Sequence, residues 1–113
     1  MIGDTHETQT TGPLSDNAAK NDYGKLRWVL MPWDALSEVV RVLMFGASRY
    51  GRNNWTQGMA HTRFSDAAIR HIIAWQHGQD RDEESGVHHL AHAACGLLFL
   101  VAYSLRGIGT DDR

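Results

Sequence analysis

Residues 88–106 read HHLAHAACGLLFLVAYSLR, and the period of their apolar side chains decides the fold. The stretch holds no proline and no formal charge before Arg106. Leu90, Ala94, Leu97, Leu98, Val101 and Leu105 recur at helical spacing, so the segment predicts a helix from about Val87 to Arg106. At about 100° per residue, His89, His92, Gly96 and Tyr103 fall together on the opposite side, beside Ala93, Phe99 and Leu100. A helix that is apolar on both sides must be buried on both sides. It is therefore expected to be a central helix, facing its own chain on one side and a second copy on the other, with Ala93 and Gly96 allowing the copies to approach closely. The apolar run ACGLLFLVAY is too short to span a bilayer unaided and reads as core.

Working outward, GQDRDEESG (78–86) is an acidic connection, and Ser85 is placed to cap the helix that follows it. Before it, a second helix is expected from about Thr62 to His77. Phe64, Ala68, His71, Ile72 and Trp75 share one of its faces, and Gly78 closes it. YGRNNW (50–55) breaks the pattern with Gly51 and two asparagines. A first helix is expected from Pro32, with Asp34 near its positive end and a stripe of Leu36, Val39, Val40, Leu43 and Ala47. No useful period-2 run and no internal repeat is present. The class is all-α, a small bundle of three main helices over 24–113. Residues 1–23 carry no sustained period and read as a flexible arm.

At 113 residues, 42% of them hydrophobic, the chain has the size of one domain. Small domains bury a modest fraction of their surface, so completion of the core by homo-oligomerisation is expected. Eleven Lys and Arg stand against 13 Asp and Glu, for a formal charge of −2. That balance lacks the basic footprint of a duplex nucleic-acid binder. A lone cysteine, Cys95, and no basic-then-apolar leader pattern fit a cytoplasmic setting without membrane attachment.

Two clusters carry chemistry. The acidic connection ends where the third helix begins, which puts Asp82 and Glu84 within a turn or two of His89 and His92. The two histidines, at i and i+3, share a helix face and could hold one ion, with His71 approaching from the second helix. Carboxylates beside imidazoles suit Mn²⁺ or Zn²⁺, whereas Mg²⁺ would lean on the carboxylates alone. His88 and His77 are expected to face solvent. The second cluster is cationic and aromatic: Lys25 and Arg27 before the first helix, Arg49, Tyr50, Arg52, Asn53, Asn54 and Trp55 after it, and Arg70 on the second. Phosphates want Lys or Arg, and a nucleobase wants an aromatic face and amides.

Three stretches, GKLRWVLMPWDALSEVVRVLMFGASRYGRNNWTQGM (24–59), RHIIAWQHGQDRDEESGVHHLAHA (70–93) and RGIGTDDR (106–113), resemble a phage and prophage domain family, the dATP/dGTP diphosphohydrolase N-terminal domain, grouped with MazG-like nucleotide pyrophosphohydrolases. The distinctive pieces are D-x-E-S-G-x-x-H-x-x-H-A and the Gly-Lys-x-Arg opening. The resemblance implies a MazG-like all-α dimer or tetramer that hydrolyses dATP or dGTP to monophosphate and pyrophosphate with a divalent metal, in a host cytoplasm if phage-encoded. It implies Asp82, Glu84, His89 and His92 as catalytic and metal-binding residues, with Glu38 as a further ligand. It implies Lys25, Arg27, Asn54 and Trp55 as nucleotide contacts, to which the residue reading adds Arg70 and His71. Two positions depart from the family's common pattern, Gln79 in place of Glu and Asn53 in place of Arg, and the MazG-type Glu-x-x-Glu pairs are absent in that form. A nucleotide-binding module without turnover and a purely structural helical oligomer are the alternatives.

Overall fold

The computed structural model describes residues 21–113, so most of the arm expected over 1–23 lies outside the described residues. The chain divides into two compact units, one ending at Asp34 and the other running from Ala35 to Arg113. In the first, the described part centres on a single 3-10 turn, Trp28–Leu30, closed by bonds from Leu30 N–H to Arg27 O and from Met31 N–H to Trp28 O, both 3.1 Å.

Three α-helices appear among the described residues: α1 (Trp33–Tyr50), α2 (His61–Gln76) and α3 (His89–Arg106), with a 3-10 turn at Asn54–Gln57. The described residues form no strand, only two isolated bridges, Ala60 with Thr110 and Arg81 with His88. The all-α expectation therefore holds.

α2 and α3 lie antiparallel, because the start of α2 meets the end of α3: Phe64 makes edge contacts with Phe99 and Tyr103, both at 5.4 Å. The opposite ends meet through His71, His89 and His92. A Cβ at Gly96 would stand 3.4 Å from the Phe64 carbonyl and 3.9 Å from Ala68 Cβ, so Gly96 faces α2 at contact distance. This corrects two expectations. Ala93 and Gly96 serve contact within the chain, not a seam between copies. The face of α3 turned inward is the one bearing His89, Ala93 and Tyr103, while Leu97, Leu98, Val101 and Leu105 of the supposed main stripe are exposed. The reason is steric: small residues admit a neighbouring backbone, and leucines at the same spacing hold it off. By length and composition α3 is apolar enough to cross a membrane, yet within this chain it pairs along α2.

α1 meets the pair through side chains. Val39 joins Val87, Ala91 and Cys95 in a small core, with Leu36, Val42, Ala94 and Phe99 against it. Of the expected α1 stripe, Val40 and Leu43 are exposed, Leu43 because it lines a cleft that α1 leaves open rather than a sealed seam.

The helix ends are set by chemistry partly invisible to local pattern. α2 has no side-chain cap of its own. Asp112 supplies one from 50 residues away, accepting from Thr62 N–H at 2.9 Å and Thr62 O–H at 2.6 Å. That places a carboxylate at the positive end of the helix. α3 is capped by His88, whose Nδ1 accepts from Leu90 N–H at 3.1 Å, and not by Ser85. His88 is accordingly half-buried rather than solvent-facing, while His77 is exposed as expected. After α3 the chain turns at Gly107 and returns to the start of α2, where His61 N–H donates to Thr110 O at 2.8 Å, while within α3 Tyr103 O–H donates to the Trp55 carbonyl and accepts from Met59 N–H.

Gly109 fixes that return. Its φ is +81°, and a Cβ there would fall 2.6 Å from the Tyr103 ring and 2.7 Å from Met59 O. Gly109→Ala should therefore destabilise the chain by more than about 1 kcal/mol, a drop of about 4 °C or more in Tm. Gly46→Ala, inside α1 with open space around it, should be neutral or stabilising. Calorimetric melts of both variants check this.

Candidate functional site

Between α1 and the α2–α3 pair lies a cleft of about 1180 Å³. It brings together much of what the sequence offered as two clusters. His71, Asp82, Glu84 and His92 line it together with Arg52, Asn53, Asn54, Trp55 and Arg70. Lys25 and Arg27 belong to the other compact unit. Glu38 is not among the lining residues: it pairs with Arg41 at 3.0 Å and Arg81 at 3.9 Å.

The acidic connection is a tight loop and not a solvated strand of charge. Asp82 N–H donates to Val87 O at 2.9 Å, Gly86 N–H to Asp82 O at 2.8 Å, and His89 N–H to Asp80 O at 2.8 Å. This hairpin-like closure aims Asp82 back at α3. Its Oδ2 accepts from the Ser85 amide and hydroxyl, both at 2.9 Å. Ser85 Oγ lies 2.6 Å from His92 Nε2. An ionised carboxylate only accepts, so the Ser85 proton points to Asp82 and His92 Nε2–H donates to Ser85 Oγ, leaving His92 Nδ1 with a free lone pair. Ser85 is thus a bridge between Asp82 and His92. An attacking serine would need its proton drawn to a base, and here the proton is committed to Asp82.

Burial would raise the Asp82 carboxyl, but the Ser85 amide and hydroxyl hydrogen bonds and nearby His92 outweigh it and hold it below 3.8. The imidazoles move the other way from what a salt bridge would give. His71 is held below 6.5, first by burial and then by its neighbours His92 and His89. His92 is also below 6.5, chiefly through burial, with Asp82 pulling in the opposite sense. These shifts favour an ionised Asp82 beside neutral His71 and His92 near neutral pH.

Ligand atoms of His71, Asp82 and His89 lie within 4.8 Å of one another, one oxygen and two nitrogens. That donor set fits Mn²⁺ or Zn²⁺ better than Mg²⁺, which would find only Asp82. His92 stands outside this set. Its ring stacks on His71 at 4.5 Å with 9° between planes, and in-plane lone pairs of parallel rings do not meet at one ion. His89 does not line the cleft: it is buried, with Nδ1 2.8 Å from His71 Nδ1 and Nε2 2.8 Å from Gln79 Oε1. Glu84 lines the cleft with His71 and His92, as the sequence placed it, and there pairs with Arg49 at 2.6 Å. Arg49 also lies over Phe45, so the pair links α1 to the loop.

Trp55, also in the cleft lining, stacks on Phe99 at 4.6 Å, and the Arg106 guanidinium lies 5.1 Å over its ring. The Trp55 ring is thus already engaged within the chain, and the exposed aromatic in the cleft is Tyr50. Asn53 adopts a left-handed conformation, φ 59° and ψ 24°, which asparagine tolerates far better than most residues. That accounts for asparagine at a position where a phosphate-binding Arg had been the comparison. Sequence reasoning missed Arg63, exposed and lining the cleft one α2 face-repeat before Arg70. The i, i+7 spacing of the two arginines, one residue out of phase with Phe64 and His71, was the available signal.

Residues 15–113 match the family model described as dATP/dGTP diphosphohydrolase, N-terminal. A dATP/dGTP diphosphohydrolase of Salmonella phage PMBT28 is 42% identical over 94 residues, covering 83% of this chain and 32% of that protein. The chain thus spans about a third of the length of this curated relative. No solved structure matches it.

The imidazole shifts set a pH dependence. Below 6.5 the unfolded chain protonates His71 and His92 while the folded chain resists, so stability present above 6.5 is lost as pH falls, until the folded values are passed. Asp82 adds stability that is present above 3.8 and is lost only in stronger acid. Thermal melts at about pH 7.5 and about pH 5.5 should show a lower Tm at the acid value. The double variant His71→Gln, His92→Gln should flatten that difference, and an unchanged slope would assign it to other groups.

Proposed function

The chain belongs to the dATP/dGTP diphosphohydrolase N-terminal family, and from that premise we propose that its cleft binds a deoxypurine nucleoside triphosphate and hydrolyses it to monophosphate and pyrophosphate with a divalent metal. The observation that carries the reading is the single cleft lined both by His71, Asp82 and His92 and by Arg52, Arg63, Arg70 and Asn54. Arginines hold phosphate oxygens, and Tyr50 with Asn54 offers an aromatic face and an amide for the base.

The chemistry asked of the chain follows from the protonation states. Asp82, ionised, and His71, neutral, would hold the ion. A divalent cation bound there would neutralise phosphate charge and act as a Lewis acid. His92 Nδ1, unprotonated and facing no partner within the Asp82–Ser85 bridge, takes a proton from the attacking water. Water oxygen bonds to the α-phosphorus, the bond to the bridging oxygen breaks, and pyrophosphate leaves. Arg63 and Arg70 follow the charge that develops on the leaving group. A cytoplasmic location, a host cytoplasm for a phage-encoded chain, follows from such a substrate.

One observation favours a second reading, binding without turnover. Among the described residues the cluster of ligand atoms includes a single carboxylate, Asp82, while Glu84, also in the cleft, is paired with Arg49. Incubation with dATP or dGTP and Mn²⁺, with chromatography of the products, separates the two. The first reading expects monophosphate and pyrophosphate in equal amounts, a loss of at least about 100-fold in rate for Asp82→Asn and for His92→Ala, and binding weakened by about 1–3 kcal/mol in Arg63→Met. Binding with no product supports the second reading, and neither binding nor product contradicts both.

The oligomer expected from sequence belongs to this proposal. Leu97, Leu98, Val101 and Leu105 on α3, and Ile69 and Ile73 on α2, are exposed. Light scattering at micromolar concentration should report a dimer or larger, and Val101→Lys should shift it toward monomer. A wild-type monomer would remove the oligomer from the account.

A further inference from the structure

α2 ends in a Schellman motif. Gly78, at φ +92°, donates its N–H to Trp75 O at 2.9 Å, and Gln79 N–H reaches Ala74 O at 3.1 Å. The motif fixes the backbone of Gln79 just past the helix, where sequence alone suggests an ordinary polar linker. Its side chain is held at both ends: Nε2 donates to Glu83 Oε1 at 3.2 Å, and Oε1 lies 2.8 Å from His89 Nε2. A carboxylate cannot donate, so the amide NH₂ must face Glu83 and the amide carbonyl must face His89. His89 Nε2 therefore carries a proton.

The second nitrogen of His89, Nδ1, is 2.8 Å from His71 Nδ1, and one proton lies between them. His89 is 5% exposed and has no carboxylate among its hydrogen-bond partners. A second proton on His89 would put a charge on a buried ring that no carboxylate contacts by a hydrogen bond. With one proton on each ring and that of His89 on Nε2, His89 Nδ1 accepts and His71 Nδ1–H donates. His71, which lines the cleft, is left with Nε2 unprotonated.

We propose that Gln79 and His89 are positioning residues that lock His71 in its Nδ1–H form and present its Nε2 lone pair to the cleft. Of the three side chains whose ligand atoms cluster, His89 is then the one that orients rather than binds. Histidine ligands are commonly held through their other ring nitrogen, and here that hold passes through a second imidazole to an amide. The inference deepens the metal-dependent reading and rests on it only for the affinity effects below.

The test begins with the metal-free, nucleotide-free chain. Multiple-bond ¹⁵N–¹H spectra should show His71 as Nδ1–H and His89 as Nε2–H. Gln79→Leu should convert His89 to a mixture of tautomers. His89→Asn, which keeps a carbonyl acceptor where Nδ1 was, should leave His71 as Nδ1–H. Titration with Mn²⁺ alone should give affinity lowered about 10- to 100-fold in Gln79→Leu and His89→Leu, with His89→Asn near wild type and His71→Ala far weaker. His71 found as Nε2–H, a doubly protonated His89, or His89→Asn losing Mn²⁺ as fully as His71→Ala overturns the proposal. Absent Mn²⁺ binding together with the stated tautomers supports the positioning pair and overturns the metal reading.

Discussion

The antiparallel packing of α2 on α3 is the contact on which the remaining structure depends. At Gly96 the helices pass closely, so that a Cβ there would already touch the Phe64 carbonyl at 3.4 Å, and the ring contacts at either end mark their register. That register sets Phe64 against Phe99 and Tyr103 at one end and His71 against His89 and His92 at the other. A slip of one helical turn, about 5.4 Å, would part every one of these pairs. The cleft walls, the histidine cluster and the return of the segment after α3 are consequences of that close approach.

Imidazoles and a carboxylate beside an apolar wall cost desolvation unless they satisfy one another. Here the partners run in two chains of hydrogen bonds with defined direction. One passes from His92 through Ser85 to Asp82. The other passes from His71 through His89 and Gln79 to Glu83. Each ends on a carboxylate at or near the surface, where water completes its solvation. The interior is left with neutral rings, whose free lone pairs suit a cation or a proton in transit. The chemistry proposed for the cleft follows from this economy of charge and needs no strained element.

Much of the fold was legible because local rules dictated it. Gly51 and Gly78 broke the pattern where α1 and α2 end, and apolar periodicity located all three helices within a few residues. The histidines on an apolar face of α3, and the company of Asp82 with His92, were also readable. Which face of α3 turns inward was not, since both faces are apolar and the choice falls to steric fit with α2 rather than to hydrophobicity. The cap of α2 by Asp112 and the partnership of Glu84 with Arg49 are long-range contacts that no local spacing encodes. Gln79 illustrates the same limit: counted as a missing charge, it proves to be the group that orders His89.

Paramagnetic broadening locates the site most directly. With ¹⁵N-labelled protein, trace Mn²⁺ is added, followed by dATP or dGTP. The account predicts amide broadening centred on His71 and Asp82, and nucleotide-dependent shifts at Asn54, Arg63 and Arg70. Broadening centred instead on Asp111 and Asp112, or nucleotide shifts that leave the cleft residues unmoved, would contradict it.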